Sequence, residues 1–194
     1  MSHKQRQQRY LRRLLVKTGL ELFSKDGYDE TSIEDIVKQV GISPRTFFRY
    51  FRSKEDLLLS GNYDGAKIGV IELLHRPPSE TPLQAMRGAF TMLAKRCDET
   101  REATLLRVRV IYGSQTLRAA QHYDTVRWEQ EFLEAICKVR NAPESAVFNI
   151  RLQIGIATVA FTGAFDAWQA DASERSLVYW LDEAFRTIAD NIPV

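Results

Sequence analysis

An all-α fold of about nine helices is what this sequence predicts, and three observations carry that prediction. Apolar residues recur at three- and four-residue intervals through most of the chain, helix-capping residues stand where those patterns begin, and no segment of useful length keeps a strand's two-residue period. Val108-Arg109-Val110 alternates briefly, but the spacing on both sides returns to helical. With 194 residues, 44% hydrophobic and 27% charged, the chain can bury a core as one domain or two small ones. Its composition is that of a soluble globular protein, neither disordered nor membrane-embedded.

The first helix sets Leu11, Leu14, Leu15, Thr18, Leu22 and Phe23 on one face, with Arg9, Arg12, Arg13 and Lys17 on or beside the other. It is expected to stop near Lys25-Asp26-Gly27, where Gly27 can take a positive φ. A second helix is expected from Thr31, with Thr31-Ser32-Ile33-Glu34 read as a capping box and Ile33, Ile36, Val37 and Val40 as the apolar stripe. Gly41-Ile42-Ser43 makes a turn. Pro44, whose missing N–H has no partner in a first turn, opens a third helix reaching about Phe51. Ser53 caps a fourth helix of about 53–75, with Glu55 and Asp56 in its positive first turn. Pro77, Pro78 and Pro82 then break the chain. Further helices are expected at 82–98, 102–113, 115–140, 144–169 and 173–191. The most apolar stretch, 154–168, is shorter than the roughly 20 residues a membrane span needs and contains Thr158, Thr162 and Asp166. It reads as a buried helix.

Several function classes are excluded by composition. The polar, basic start carries no apolar segment behind it, so no secretory signal is expected and the cytoplasm is the expected location. Cys97 and Cys137 lack CxxC spacing, and His3, His75 and His122 follow no ligand pattern, so no metal, cofactor or disulfide is expected. There is no glycine-rich phosphate loop and no nucleophile elbow, and Glu129, Glu131 and Glu134 near His122 read as a solvated face. An enzyme is therefore not expected. Charge is uneven: residues 1–60 hold 12 Lys and Arg against 8 Asp and Glu, while the remainder holds 15 against 17. A basic head on a near-neutral body suits a polyanion partner.

The segment Thr31 to Phe51 has the shape of a helix-turn-helix. In that motif the first helix braces across the sugar-phosphate backbone so that the start of the second enters the major groove, where base edges are distinguishable. Small and polar residues must open the second helix, and here they are Ser43, Arg45 and Thr46, with Arg49 one turn beyond Arg45. Arg45 and Thr46 are the candidate base readers, since Arg can grip guanine O6 and N7 together and Thr offers a hydroxyl and a methyl. Arg49 could read a base or hold a phosphate. Arg6 and Arg9 are candidates for the backbone or minor groove, against the plainer reading of a solvated basic face shared with Arg12 and Arg13.

The run Leu22-Phe23…Gly27-Tyr28…Thr31-Ser32-Ile33…Ile36…Val40-Gly41-Ile42-Ser43…Thr46…Phe51…Ser53-Lys54-Glu55-Asp56-Leu57-Leu58 resembles the N-terminal domain of TetR-family repressors, over about residues 9–60. The resemblance implies a homodimer placing two recognition helices in successive major grooves of a palindromic operator on double-stranded DNA, repressing until a small-molecule effector binds the C-terminal part. It also implies a phosphate contact for Lys54, with Thr31 holding another. The chain departs from the family where Phe48 stands in place of a tyrosine and Tyr50 in place of a histidine. Phe48 lacks a hydroxyl for phosphate but stays among the candidate DNA-binding residues, with inward packing as the plainer reading, and Tyr50 is left to take over the phosphate contact. The domains expected are 1–52 for DNA binding and 53–194 for effector binding and dimerisation, joined by the helix at about 53–75.

The last two helices have wide apolar faces that call for a partner. Ile154, Phe161, Trp168, Leu177, Trp180, Leu181 and Phe185 are the expected dimer contacts, with Gly155, Ala160, Gly163 and Ala164 small enough for close approach. Internal core is the competing reading of the same faces. Phe90, Leu105, Arg109, Tyr112, Trp128, Phe161 and Phe165 are candidate effector-pocket lining. Arg107 and Arg109 lie within an apolar helix, so one is expected to face inward, toward an internal carboxylate or an acidic or acyl ligand. A regulator without small-molecule control is the alternative to a ligand-released repressor.

Overall fold

The computed structural model describes residues 2–191, and within them every side chain other than those of 61–64 and 122. The reading placed on His122 lies outside the described side chains. Among the described residues the chain is helical without strands. The helices are α1 (His3–Asp26), α2 (Ile33–Val40), α3 (Pro44–Phe48), α4 (Lys54–His75), α5 (Pro82–Glu99), α6 (Arg101–Gly113), α7 (Gln115–Arg140), α8 (Val147–Ala170) and α9 (Leu177–Asn191), with a 3-10 turn at Glu144–Ala146.

Helix boundaries follow the local chemistry, with corrections at α2, α3 and α9. Helix α2 is capped by Ser32 rather than Thr31: Asp35 N–H donates to Ser32 Oγ at 3.1 Å, and Ser32 N–H donates to the Asp35 carboxylate at 2.9 Å. Thr31 is unavailable because it is buried and its hydroxyl donates to the Gly27 carbonyl at 2.7 Å. The expected third helix is also shorter, ending at Phe48; Arg49 and Tyr50 close it as a turn in which Tyr50 N–H donates to Phe47 O at 2.8 Å. The glycines behave as their positions require, with φ of 93° at Gly27 and 77° at Gly41. Ser53 Oγ accepts from Asp56 N–H at 3.1 Å, the cap expected for α4.

Two compact units emerge, one of Met1–Tyr63 with Glu102–His122 and one of Asp64–Arg101 with Tyr123–Val194. The first is built on Leu15, Leu20, Phe23, Ile36, Val37, Phe47, Phe51, Leu57 and Leu58, and it includes Val110, Ile111 and Leu117 from α6 and α7. At Gly19 an added Cβ would stand 2.8 Å from Leu57 Cδ2, so α1 and α4 meet where only glycine fits without a shift.

The second unit packs α5, α8 and α9 against one another. Met86, Ala89 and Phe90 of α5 are buried with Ile150, Ile154, Ala157 and Trp168 of α8 and Leu177, Leu181 and Phe185 of α9. Helix α9 begins at Leu177 rather than 173 because its cap comes from another helix: the Asp98 carboxylate accepts from Leu177 N–H at 2.7 Å and Val178 N–H at 3.3 Å. Just before it, the Asp171 carboxylate accepts from Ser173 N–H at 2.8 Å, Arg175 Nε at 2.9 Å and Trp180 Nε1 at 3.1 Å. The Arg175 and Ser173 donors hold that carboxyl well below the usual carboxylate range. One expectation is corrected here. By length and composition Glu144–Ala170 does reach what a membrane span needs, although α8 also buries Ile154, Ala157 and Trp168 in the unit's core.

Candidate nucleic-acid interface

Helix α3 stands out from the first unit on two inward aromatic anchors. Phe47 and Phe51 are almost wholly buried, with ring centres 5.7 Å apart, and they fix the rotation of a helix too short to be stable alone. The opposite side is left open: Ser43, Arg45 and Arg49 are exposed and Thr46 is half-buried. Ser43 caps the helix by accepting from Thr46 N–H at 3.3 Å, and the two hydroxyl oxygens lie 3.1 Å apart. The Arg49 guanidinium rests 5.4 Å from the centre of the half-buried Tyr50 ring. A polar, cationic leading edge on a buried aromatic base matches what groove insertion asks for.

Phe48 departs from its inward-packing alternative, and two of the expected contacts, Thr31 and Lys54, are placed differently. Phe48 is 55% exposed rather than packed inward, because Phe47 and Phe51 already occupy the inward side of the turn. Thr31 offers no exposed hydroxyl, as its bond to Gly27 shows. Lys54 directs its ammonium back into the head, donating to the carbonyls of Tyr28 at 2.7 Å, Asp29 at 3.2 Å and Thr31 at 3.2 Å. All three of its protons are therefore engaged by the α1–α2 turn. Tyr28 as the seat for Lys54 was not legible beforehand, since the two are far apart in sequence. Burial, with the Glu55 carboxylate alongside, pushes the Tyr28 phenol above its ordinary range.

The residues expected to line an effector pocket are only partly brought together. Phe90 and Phe161 stack at 4.6 Å, and Phe165 lies 6.1 Å from Phe161. Trp128 is half-buried in the same unit, and its indole N–H is shielded from solvent with no hydrogen-bond partner among the described residues. Leu105, Arg109 and Tyr112 belong to the first unit, where Arg109 and Tyr112 are exposed and Leu105 is half-buried. Of the two arginines, Arg107 is the more buried. A separate open cleft of about 500 Å³ is lined by Glu72, Arg76, Glu80, Arg87, Met92 and Lys95, among others, none of them in the expected set.

The expected dimer residues are placed mostly inside. Ile154, Trp168, Leu177, Leu181 and Phe185 are buried within their own unit, and Phe161 and Trp180 are half-buried. A different stripe of α8 faces outward: Phe148, Leu152 and Val159 are exposed, the first 78% and the last 74%. These three stand at spacings of four and seven residues, beside Gly155 and Gly163, which the sequence had singled out for close approach, while Phe148, Leu152 and Val159 themselves were not singled out.

Comparison with known proteins agrees with this geometry. Residues 15–60 match the family described as bacterial regulatory proteins, tetR family, and residues 80–193 match the MftR C-terminal domain. The HTH-type transcriptional regulator TcmR of Streptomyces glaucescens is 45% identical over 89 residues, 45% of this chain and 38% of TcmR. The putative mycofactocin biosynthesis transcriptional regulator MftR of Mycobacterium tuberculosis is 26% identical over 177 residues, covering 88% of this chain and 85% of MftR. Among solved structures, Thermus thermophilus FadR in complex with lauroyl-CoA superposes with a TM-score of 0.56 at 23% identity, over 94% of this chain and 95% of FadR. NalD of Pseudomonas aeruginosa, the secondary repressor of the MexAB-OprM multidrug efflux pump, gives 0.60 at 18% identity, over 93% of this chain and 96% of its own.

Proposed function

Since the chain belongs to the TetR family of bacterial regulatory proteins, we propose that it is a dimeric repressor that binds a palindromic operator and leaves it when a small molecule occupies the second unit. The observation that carries the DNA-binding part is α3, which holds Phe47 and Phe51 inward and leaves Ser43, Arg45, Thr46 and Arg49 along its open edge. In a two-fold dimer each α3 enters a major groove one helical turn of DNA, about 34 Å, from its mate. Arg45 and Thr46 read base edges, Arg49 and Tyr50 hold the backbone, and the exposed Phe48 contributes apolar contact beside them. Thr31 and Lys54 serve the same interface from behind, by holding the α1–α2 turn that sets the pitch of α2 and α3.

Dimerisation falls to the outward stripe of α8, whose Phe148, Leu152 and Val159 are exposed apolar side chains. A self-complementary helix face with glycines suits a second copy of the same chain. The effector is an acidic or acyl molecule held against the Phe90–Phe161 stack and the Trp128 indole N–H. Residues 1–52 then form the DNA-binding domain and 53–194 the effector and dimer domain, acting in the cytoplasm without catalysis.

The test is selection of duplexes from a random library, followed by affinity measurements across a salt series. A palindromic consensus bound with a steep salt dependence supports the reading, and equal weak binding to every duplex at low salt overturns it. Acyl thioesters that raise the melting temperature and release the duplex support the effector, whereas a response to neutral compounds alone counts against it.

A further inference from the structure

We infer that Phe48 is a specificity-determining residue, whose ring reads the C5-methyl group of a thymine beside the guanine that Arg45 grips. The inference rests on the DNA-binding reading above and deepens it, by naming the chemical group that the exposed phenyl recognises. At about 100° per residue, Phe48 stands about 60° from Arg45 around α3, and a three-residue interval sets their Cβ atoms about 5–6 Å apart. Both are exposed, Phe48 by 55%. Thr46 lies on the other side of Arg45, half-buried and with its hydroxyl oxygen 3.1 Å from that of Ser43. The open edge of α3 therefore sets a guanidinium next to a large apolar ring.

The ring is braced. Phe47, fully buried in the head, meets Phe48 edge to face, with ring centres 5.5 Å apart and planes at 87°. Helix α3 is itself fixed by Phe47 and Phe51, which are both buried. A side chain held this way has little rotamer freedom left to lose, so ordering offsets little of any apolar contact that it makes.

What such a ring recognises in a duplex follows from its chemistry. Contacts to phosphate oxygens come from N–H and O–H donors, and a phenyl has neither. In the major groove the other bases present only donors and acceptors, and thymine alone adds a methyl. Over a cytosine the ring would cover the N4 amino group and leave its hydrogen bond unmade, which costs free energy. Over a thymine it meets an apolar group, and both surfaces leave water. The ring thus favours T·A over C·G at one position, separately from the guanine reading of Arg45.

The test removes that methyl and nothing else. Deoxyuridine replaces thymine at each position in turn of the best duplex selected by the full-length wild type, symmetrically in both half-sites, and affinity is measured at fixed salt. The expected result is a loss of about fourfold per half-site at one thymine neighbouring the guanine assigned to Arg45. Phe48→Ala binds the thymine and deoxyuridine duplexes alike at that position, and Thr46→Ser, which removes the threonine methyl alone, keeps the wild-type difference. Phe48→Gln gives a second reading of the same loss, so the outcome is decided even if Phe48→Ala folds poorly. The inference is overturned if no neighbouring thymine responds, if the Phe48 variants keep the wild-type difference, or if Thr46→Ser abolishes it. A wild type that binds every duplex equally fails the DNA-binding reading itself, whereas a selected operator indifferent to the methyl of every thymine beside that guanine fails this inference alone.

Discussion

The ammonium of Lys54 donates to the main-chain carbonyl of Tyr28 at 2.7 Å and stands 4.3 Å from the centre of the same residue's ring. A residue twenty-six positions away thus closes the α1–α2 turn, and the ring face adds a cation–π attraction. Lys54→Met removes the charge while keeping most of the aliphatic stem. The expected outcome is a loss of about 1–3 kcal/mol of stability and weaker operator binding, with the salt slope unchanged. A slope shallower by about 0.9 identifies a phosphate contact instead, and salt-titrated anisotropy decides between them.

Arg45 and Thr46 share the open edge of α3. Arg45→Ala is expected to reduce discrimination at one base-pair position of each half-site by roughly 1–3 kcal/mol, leaving other positions as they were. Binding to single-substituted operator duplexes measures this, and a uniform loss at every position contradicts base reading.

Tyr50 packs partly on the core of the head while its neighbour Phe48 is exposed. If the Tyr50 hydroxyl donates to a phosphate, Tyr50→Phe weakens the operator complex by about 1–3 kcal/mol at fixed salt without lowering the melting temperature. Unchanged affinity removes the contact.

Val159 is the last residue of the outward α8 stripe and is 74% exposed, so replacing it leaves the core intact. Val159→Glu is expected to give a folded monomer by light scattering, with operator affinity reduced at least tenfold through loss of two-site binding. Met92→Glu, on another exposed surface, leaves the dimer as it is.

Asp171 carries its lowered carboxyl pKa in the folded state, so its ionised form stabilises the fold at neutral pH, and that contribution is lost as pH falls below the ordinary carboxylate range. Asp171→Asn should therefore melt lower than the wild type at pH 7, and the gap should narrow below about pH 4. Thermal melts of both proteins across that range check the sign; a constant gap assigns the effect to packing.

Helix positions and the helix-turn-helix were legible because both depend on local chemistry: apolar spacing, caps, a proline at a helix start and glycines at positive φ. Even there a one-residue choice escaped the sequence, since Thr31 and Ser32 are both good caps and only the Gly27 carbonyl decides which hydroxyl is free. The exposure of Arg45 could be read from the sequence because the phase of α3 sets it on the side opposite the buried Phe47.

By itself, then, the sequence determined an all-helical chain with a basic head and a recognition helix at Pro44, because neighbours within one or two turns set those features. Only the tertiary structure decided that Lys54 turns back to Tyr28, that Val110, Ile111 and Leu117 join the head, and that Trp168 and Leu181 are core while Val159 is surface. Each of these outcomes depends on partners brought from distant parts of the chain, and an apolar or charged side chain carries no mark of which distant partner it will meet.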